Sequence, residues 1–154
     1  MTKEVMVRIV GMHNGEDTDN QPVASAAAGV YYLKDGVHYV LFEEHAQGFT
    51  ETIKNRLKLK GNVLEISKQG LLSSNMVFEE GVVHNTAYNT PYGTFLMGIH
   101  TKRFAMEERE DSLRIQVDYT LEMDDKFVAE SRIDIMVVSA DLPDRMAQQD
   151  NNLN

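Results

Sequence analysis

Leu113-Arg114-Ile115-Gln116-Val117-Asp118-Tyr119-Thr120-Leu121-Glu122 alternates apolar and polar side chains without a break. Successive side chains of an extended chain point to opposite faces. Leu113, Ile115, Val117, Tyr119 and Leu121 therefore share one face, and the five polar residues share the other. A strand buried on one side and solvated on the other is the reading, and that pattern belongs to antiparallel sheets. Asp124, Asp125 and Lys126 then turn the chain. The returning stretch sets Ala129, Ser131, Ile133, Ile135 and Val137 against Glu130, Arg132 and Asp134. Opposite charges on the solvent face can pair across the two strands, each pair worth a few tenths of a kcal/mol.

The same period runs back towards the start of the chain. Val5, Val7 and Ile9 alternate with Met6, Arg8 and Val10 in a first strand. Residues 23–33 and 37–44 flank Lys34-Asp35-Gly36, where Asp-Gly is a strong hairpin signal. Residues 50–59 and 63–68 repeat the device around Lys60-Gly61-Asn62, and shorter strands follow at 76–79 and 82–86. Residues 37–42 and 95–99 are apolar on both faces, so a short helix or the 71–75 loop is expected to cover them. Residues 141–154 lose all periodicity, gain Asn, Gln and Asp, and read as a frayed polar tail after one domain at 1–140.

Some eight to ten sequential strands with short turns would leave many exposed edges in an open sheet, and closure removes them. The expected fold is all-β, a single antiparallel up-and-down barrel, with a two-sheet sandwich as competitor. A chain of 154 residues is long enough to bury a real core without staples. It has no cysteine, hence neither disulfides nor thiolate chemistry, which suits a reducing compartment. The cytoplasm is the expected location. No signal-peptide pattern and no long apolar run is present, so no membrane partner is expected. Fifteen Lys and Arg against 24 Asp and Glu give a net charge of -9, which argues against nucleic acid. Lys54, Arg56, Lys58 and Lys60 form a local basic row, read as a solvated strand face.

Catalytic signatures are missing. No G-x-S-x-G precedes a helix, and Ser73 and Ser74 lie in an ordinary loop. His13, His38, His45, His84 and His100 show no metal-ligand spacing, although His45, His84 and His100 could meet in space. No glycine-rich phosphate loop occurs, so no metal, no cofactor and no catalytic residue is expected. The acidic pairs Glu43-Glu44, Glu79-Glu80, Glu107-Glu108 and Asp124-Asp125 fall at strand ends and suit solvated turns. Glu44 is the exception. If His38, Val40, Phe42 and Glu44 form the inner face of their strand, a carboxylate points into the barrel and needs a partner. Lys68, also at a strand end, is the candidate: the two either stand merely exposed at a rim or make an ion pair at one mouth of the barrel able to bind a polar ligand head group.

Tyr88-Asn89-Thr90-Pro91-Tyr92-Gly93 is the most particular stretch in the chain. Pro91 fixes its own φ and pushes Thr90 to extended backbone, and Gly93 completes a tight corner flanked by two tyrosines. Their hydroxyls either tie that corner to the backbone or offer a binding edge. Together with Glu43 and Glu44, the Lys68-Gln69-Gly70 turn followed by Met76 and Phe78, and Thr101, this stretch resembles the YwiB-like family, domain of unknown function 1934. The similarity spans roughly residues 3–139. It implies a calycin or lipocalin-like barrel in a bacterial cytoplasm, with no assigned biochemical activity. The family carries arginine where this chain has Lys68, and lysine does not reproduce a bidentate contact.

The functional expectation is a non-enzymatic barrel that binds a small apolar or amphipathic ligand, with Glu44, Lys68, Tyr88, Tyr92 and His100 as ligand-binding candidates. Nine methionines suit an adaptable cavity, and also plain core filling. The row Ala24, Ala26, Ala28 either leaves room inside or admits close packing. The alternative is a structural or protein-interaction module, a homodimer or heteromer joined through apolar outer strand faces. An enzyme of unrecognised type using Glu44, Lys68, Tyr88 or His100 is the third class.

Overall fold

The computed structural model describes residues 1–14, 23–45 and 48–140, and the 141–154 segment lies outside them. Ten strands follow one another: β1 Glu4–Asn14, β2 Val23–Lys34, β3 Val37–His45, β4 Thr52–Lys60 and β5 Val63–Gly70, then β6 Ser74–Glu79, β7 Val83–Thr90, β8 Gly93–Arg109, β9 Ser112–Met123 and β10 Lys126–Ser139. All pairings are antiparallel and run in the order β6-β5-β4-β3-β2-β1-β10-β9-β8-β7. Each strand thus pairs with its sequence neighbours, except that β1 joins β10 and β6 does not pair with β7. The sheet curls until those two edges meet. Ser73 and Asn89 exchange two backbone hydrogen bonds of 3.0 and 2.9 Å across them, and Gly81 N donates to Thr101 O at 2.9 Å near the other end. The result is the expected up-and-down barrel, nearly closed.

Turn chemistry fixes the register. Asp35 and Gly36 both have positive φ, 52° and 79°, as a two-residue turn matched to strand twist requires. Asp124 and Asp125 adopt the same region, at 49° and 66°. The corner at 88–93 is a hairpin in which Thr90 pairs with Gly93. Its lock is the Thr90 hydroxyl, which donates to Gly93 O at 2.9 Å and accepts from Tyr92 N at 3.1 Å. The tyrosine hydroxyls take no part: Tyr92 is 86% exposed, and Tyr88 packs its ring against the core.

Alternate residues of every strand fill the interior. Val5, Val40, Leu59, Leu64, Phe78, Ile99, Ile115, Val117 and Ile135 are fully buried in one continuous cluster. Phe78 and Tyr119 meet edge to face at 5.0 Å, and burial raises the Tyr119 phenol above its ordinary range. Ala24, Ala26 and Ala28 point the other way, exposed on the outer face, so they leave no room inside. Among the described residues no helix covers the 95–99 segment; its outer face is open, with Leu96 49% exposed. The 71–75 loop is shorter than expected, because Ser74 and Asn75 begin β6.

Candidate functional site

Strand period places His38, Val40, Phe42 and Glu44 on the inner face of β3, and the first three are buried. Glu44 lies at the last inner position before the strand ends, at one mouth of the barrel. Two strands away, Lys68 occupies the last inner position of β5. Asn55 stands between them on β4, in register with Lys68 on one side and Phe42 on the other. Lys68 Nζ donates to Glu44 Oε1 at 2.6 Å, and Asn55 Nδ2 donates to the same oxygen at 2.6 Å. Side-chain exposure of 26% for Lys68 and 35% for Glu44 makes this a rim ion pair facing water, not a dry one. Asn55 is 3% exposed and holds the carboxylate from below.

The mouth continues onto β6 and β7. Ser74, the register partner of Lys68, is 8% exposed, and its hydroxyl has no hydrogen-bond partner. Glu44 Oε2 also accepts no hydrogen bond among the described residues. Tyr88 is at this end on the inner face of β7, and with Met76, Leu121 and Met123 it forms a half-buried apolar margin against the core. The arrangement is amphipathic: a charged, hydrogen-bonding cluster on one side and sulfur and aromatic surface on the other. Of the five candidates, Glu44 and Lys68 are in contact and Tyr88 shares their end. Tyr92 stands out from the β7–β8 turn, and His100 is exposed on the outer face of β8.

Sequence reasoning missed Asn55 and Ser74. Asn55 was legible as the inner residue between Lys54 and Arg56. Ser74 was not, because a strand start with Ser-Asn reads as loop. A second polar cluster, at the opposite mouth, was also missed. Tyr31 and His38 are both 8% exposed, and Tyr31 Oη lies 2.8 Å from His38 Nδ1. His38 Nε2 faces Glu108 Oε2 at 3.6 Å. Burial first, and Glu108 second, raise the Tyr31 phenol above its ordinary range. This chain orients the ring and caps the core.

The basic row of β4 lies on the outer face, where Arg56 pairs with Glu65 at 3.3 Å. Two further ion pairs join β9 and β10: Arg132 holds Asp118 at 2.6 Å, and Arg114 holds Asp134 at 2.9 Å. Each guanidinium lowers the pKa of its carboxyl below the usual aspartate range. Among the described residues, no three His, Asp or Glu side chains are placed to hold a metal ion. His45 ends β3, His84 is on the inner face of β7 and His100 points outward, so the three do not meet.

The model of the domain of unknown function DUF1934 matches residues 7–135. The chain belongs to the DUF1934 family. The crystal structure of the YwiB protein from Bacillus subtilis superposes with a TM-score of 0.78 at 17% identity, covering 90% of this chain and 92% of that one. At that identity the likeness establishes the shared fold alone, an antiparallel up-and-down barrel. No curated protein matches the chain. Among the described residues of this DUF1934 chain, no helix is long and apolar enough to cross a membrane.

Proposed function

We propose that the protein is a non-enzymatic binding barrel of the cytoplasm that takes a small amphipathic molecule at the mouth formed by Glu44, Asn55, Lys68 and Ser74. The observation that carries the reading is the partly exposed Lys68–Glu44 pair, in which Glu44 Oε2 accepts no hydrogen bond among the described residues. A ligand hydroxyl, amide or ammonium that reaches Glu44 Oε2 gains a charge-assisted hydrogen bond there. Lys68 keeps further N–H donors for an acceptor on the same head group. The apolar part of the ligand then rests on Tyr88, Met76 and Met123. Because the interior is packed with side chains, the ligand sits in the mouth, not along the axis. Tyr92 and His100 have no part in this reading.

Native mass spectrometry of protein purified from its own cells tests the proposal. A small-molecule adduct is expected on the parent chain, and its loss is expected in Lys68→Met combined with Glu44→Gln. A bare parent chain overturns the proposal, and so does an adduct that survives the double substitution.

A further inference from the structure

β2 and β3 pair only from Gly29 opposite Phe42 to Lys34 opposite Val37. Before Gly29, residues 23–28 are paired with β1 alone. Beyond Phe42, residues 43–45 are paired with β4 alone. The two strands therefore fork. At the vertex the backbones are pressed together: a Cβ on Gly29 would lie 2.7 Å from Leu41 O. The opening holds a groove of about 1130 Å³, with Ala26 and Ala28 on one arm, Glu43 and His45 on the other, and Lys54 on its wall.

The direction of the free backbone groups follows from one hydrogen bond. Tyr31 N donates to Lys3 O at 2.7 Å, so Tyr31, Gly29, Ala27 and Ser25 turn their N–H and C=O towards β1. Ala24, Ala26 and Ala28 turn theirs into the fork, where no described residue pairs with them. An exposed edge of this kind is ordinarily blunted by charge, proline or a bulge. Val23-Ala24-Ser25-Ala26-Ala27-Ala28 has none of these, and Val23, Ala24, Ser25, Ala26 and Ala28 are exposed. Small side chains along the edge leave the groove unfilled. Arg8, in register with Ala26, and Lys54 make no ion pair among the described residues and flank the alanine row from either side.

We propose that this arm of β2 is a strand-acceptor site for an extended segment of a partner protein. The incoming strand, about six residues long to match the arm, bonds main chain to main chain with Ala24, Ala26 and Ala28. Its alternate side chains are bulky and apolar and fill the space that the alanines leave. An acidic residue at its border meets Arg8 or Lys54. A second copy of this chain is the weaker occupant, since its own arm would set alanine against alanine and leave the groove empty. The proposal is independent of the mouth site.

The test uses the full chain and an acetylated octapeptide with Ile and Phe at alternate positions and Glu at its border. Amide exchange and backbone NMR shifts are read residue by residue. Saturable shifts are expected at Ala24, Ala26 and Ala28, with at least tenfold slower exchange there. Ala26→Pro deletes an N–H that β1 does not use, and proline is tolerated at strand edges. Its binding should fall at least tenfold while its melting temperature stays within a few degrees. Should that variant fail to fold, a peptide N-methylated at its edge-facing amides gives the same loss against the parent. Three results overturn the proposal: unchanged amides at millimolar peptide, equal binding by Ala26→Pro, or strong protection of these amides before peptide is added, in monomer or dimer.

Discussion

Two single residues show how closely this barrel depends on local fit. Gly29 needs no unusual φ; it is required because its neighbour's carbonyl stands where a Cβ would go. The clash is with backbone, which cannot rotate away, so Gly29→Ala must push β2 and β3 apart at the fork vertex. The expected cost is about 2–3 kcal/mol, read from urea midpoints; a change under half of that would mean the vertex is soft. Lys68 tests the opposite case, a charge at a rim. With both partners about a third exposed, Glu44→Gln and Lys68→Met should each cost about 1 kcal/mol, well below the ~3–5 kcal/mol for breaking a fully buried pair. A double-mutant cycle should return a coupling of about 0.5–1 kcal/mol. Equal stability of all four proteins would remove the ion pair from any structural role.

At the scale of elements, β9 and β10 form the most legible and best-protected part of the molecule. Asp118 and Asp134 are held below their ordinary pKa by Arg132 and Arg114. Their contribution is complete above the unfolded value near ~3.9 and is lost as pH falls through the lower folded values. Stability should thus fall between pH 6 and pH 3, and Asp118→Asn with Asp134→Asn should make that fall shallower, as followed by urea unfolding at both pH values. The turn joining them carries Asp125 at a φ of 66°, which glycine adopts freely. Asp125→Gly should therefore stabilise by about 0.5–1 kcal/mol in thermal melts. Asp124 must stay, since its carboxylate accepts from Leu96 N at 3.0 Å. Period two exposed these strands because both faces are consistent along their length. It failed on β8, read as 95–99 but extending over Gly93–Arg109, because a register shift between Thr101 and Arg103 breaks the alternation there. It also shortened β6 and β7, whose Ser, Asn, His and Thr residues look like loop. The mouth was half legible for the same reason. Glu44 ends a strand flagged by the Asp35-Gly36 hairpin signal and shares the parity of Val40 and Phe42, whereas Ser74 begins a polar strand.

The molecule as a whole is a sheet closed by two unequal joints. Between β1 and β10 the register runs unbroken from Val5 opposite Ser139 to Asn14 opposite Glu130, which ties the two ends of the described chain together. Between β6 and β7 there is one bridge, Ser73 with Asn89, besides the turn that links the strands. Local opening should follow this asymmetry, with amides of β6 and β7 exchanging well below the global unfolding free energy and those of β1, β9 and β10 near it. The bridge offers a direct way to shift that balance. Ser73 and Asn89 exchange both backbone hydrogen bonds, and such a pair sets its Cα atoms about 5.5 Å apart, within the range a disulfide spans. The chain has no cysteine of its own to interfere. Ser73→Cys with Asn89→Cys, oxidised, would close a loop of roughly 15 residues, for which chain entropy gives about 3 kcal/mol. A gain of about 1–3 kcal/mol over the reduced form is expected in urea unfolding, with slower exchange confined to β6 and β7. If the oxidised protein is more stable while exchange along β6 and β7 stays as fast, the bridge is not what limits opening, and the seam must part from its Gly81 end.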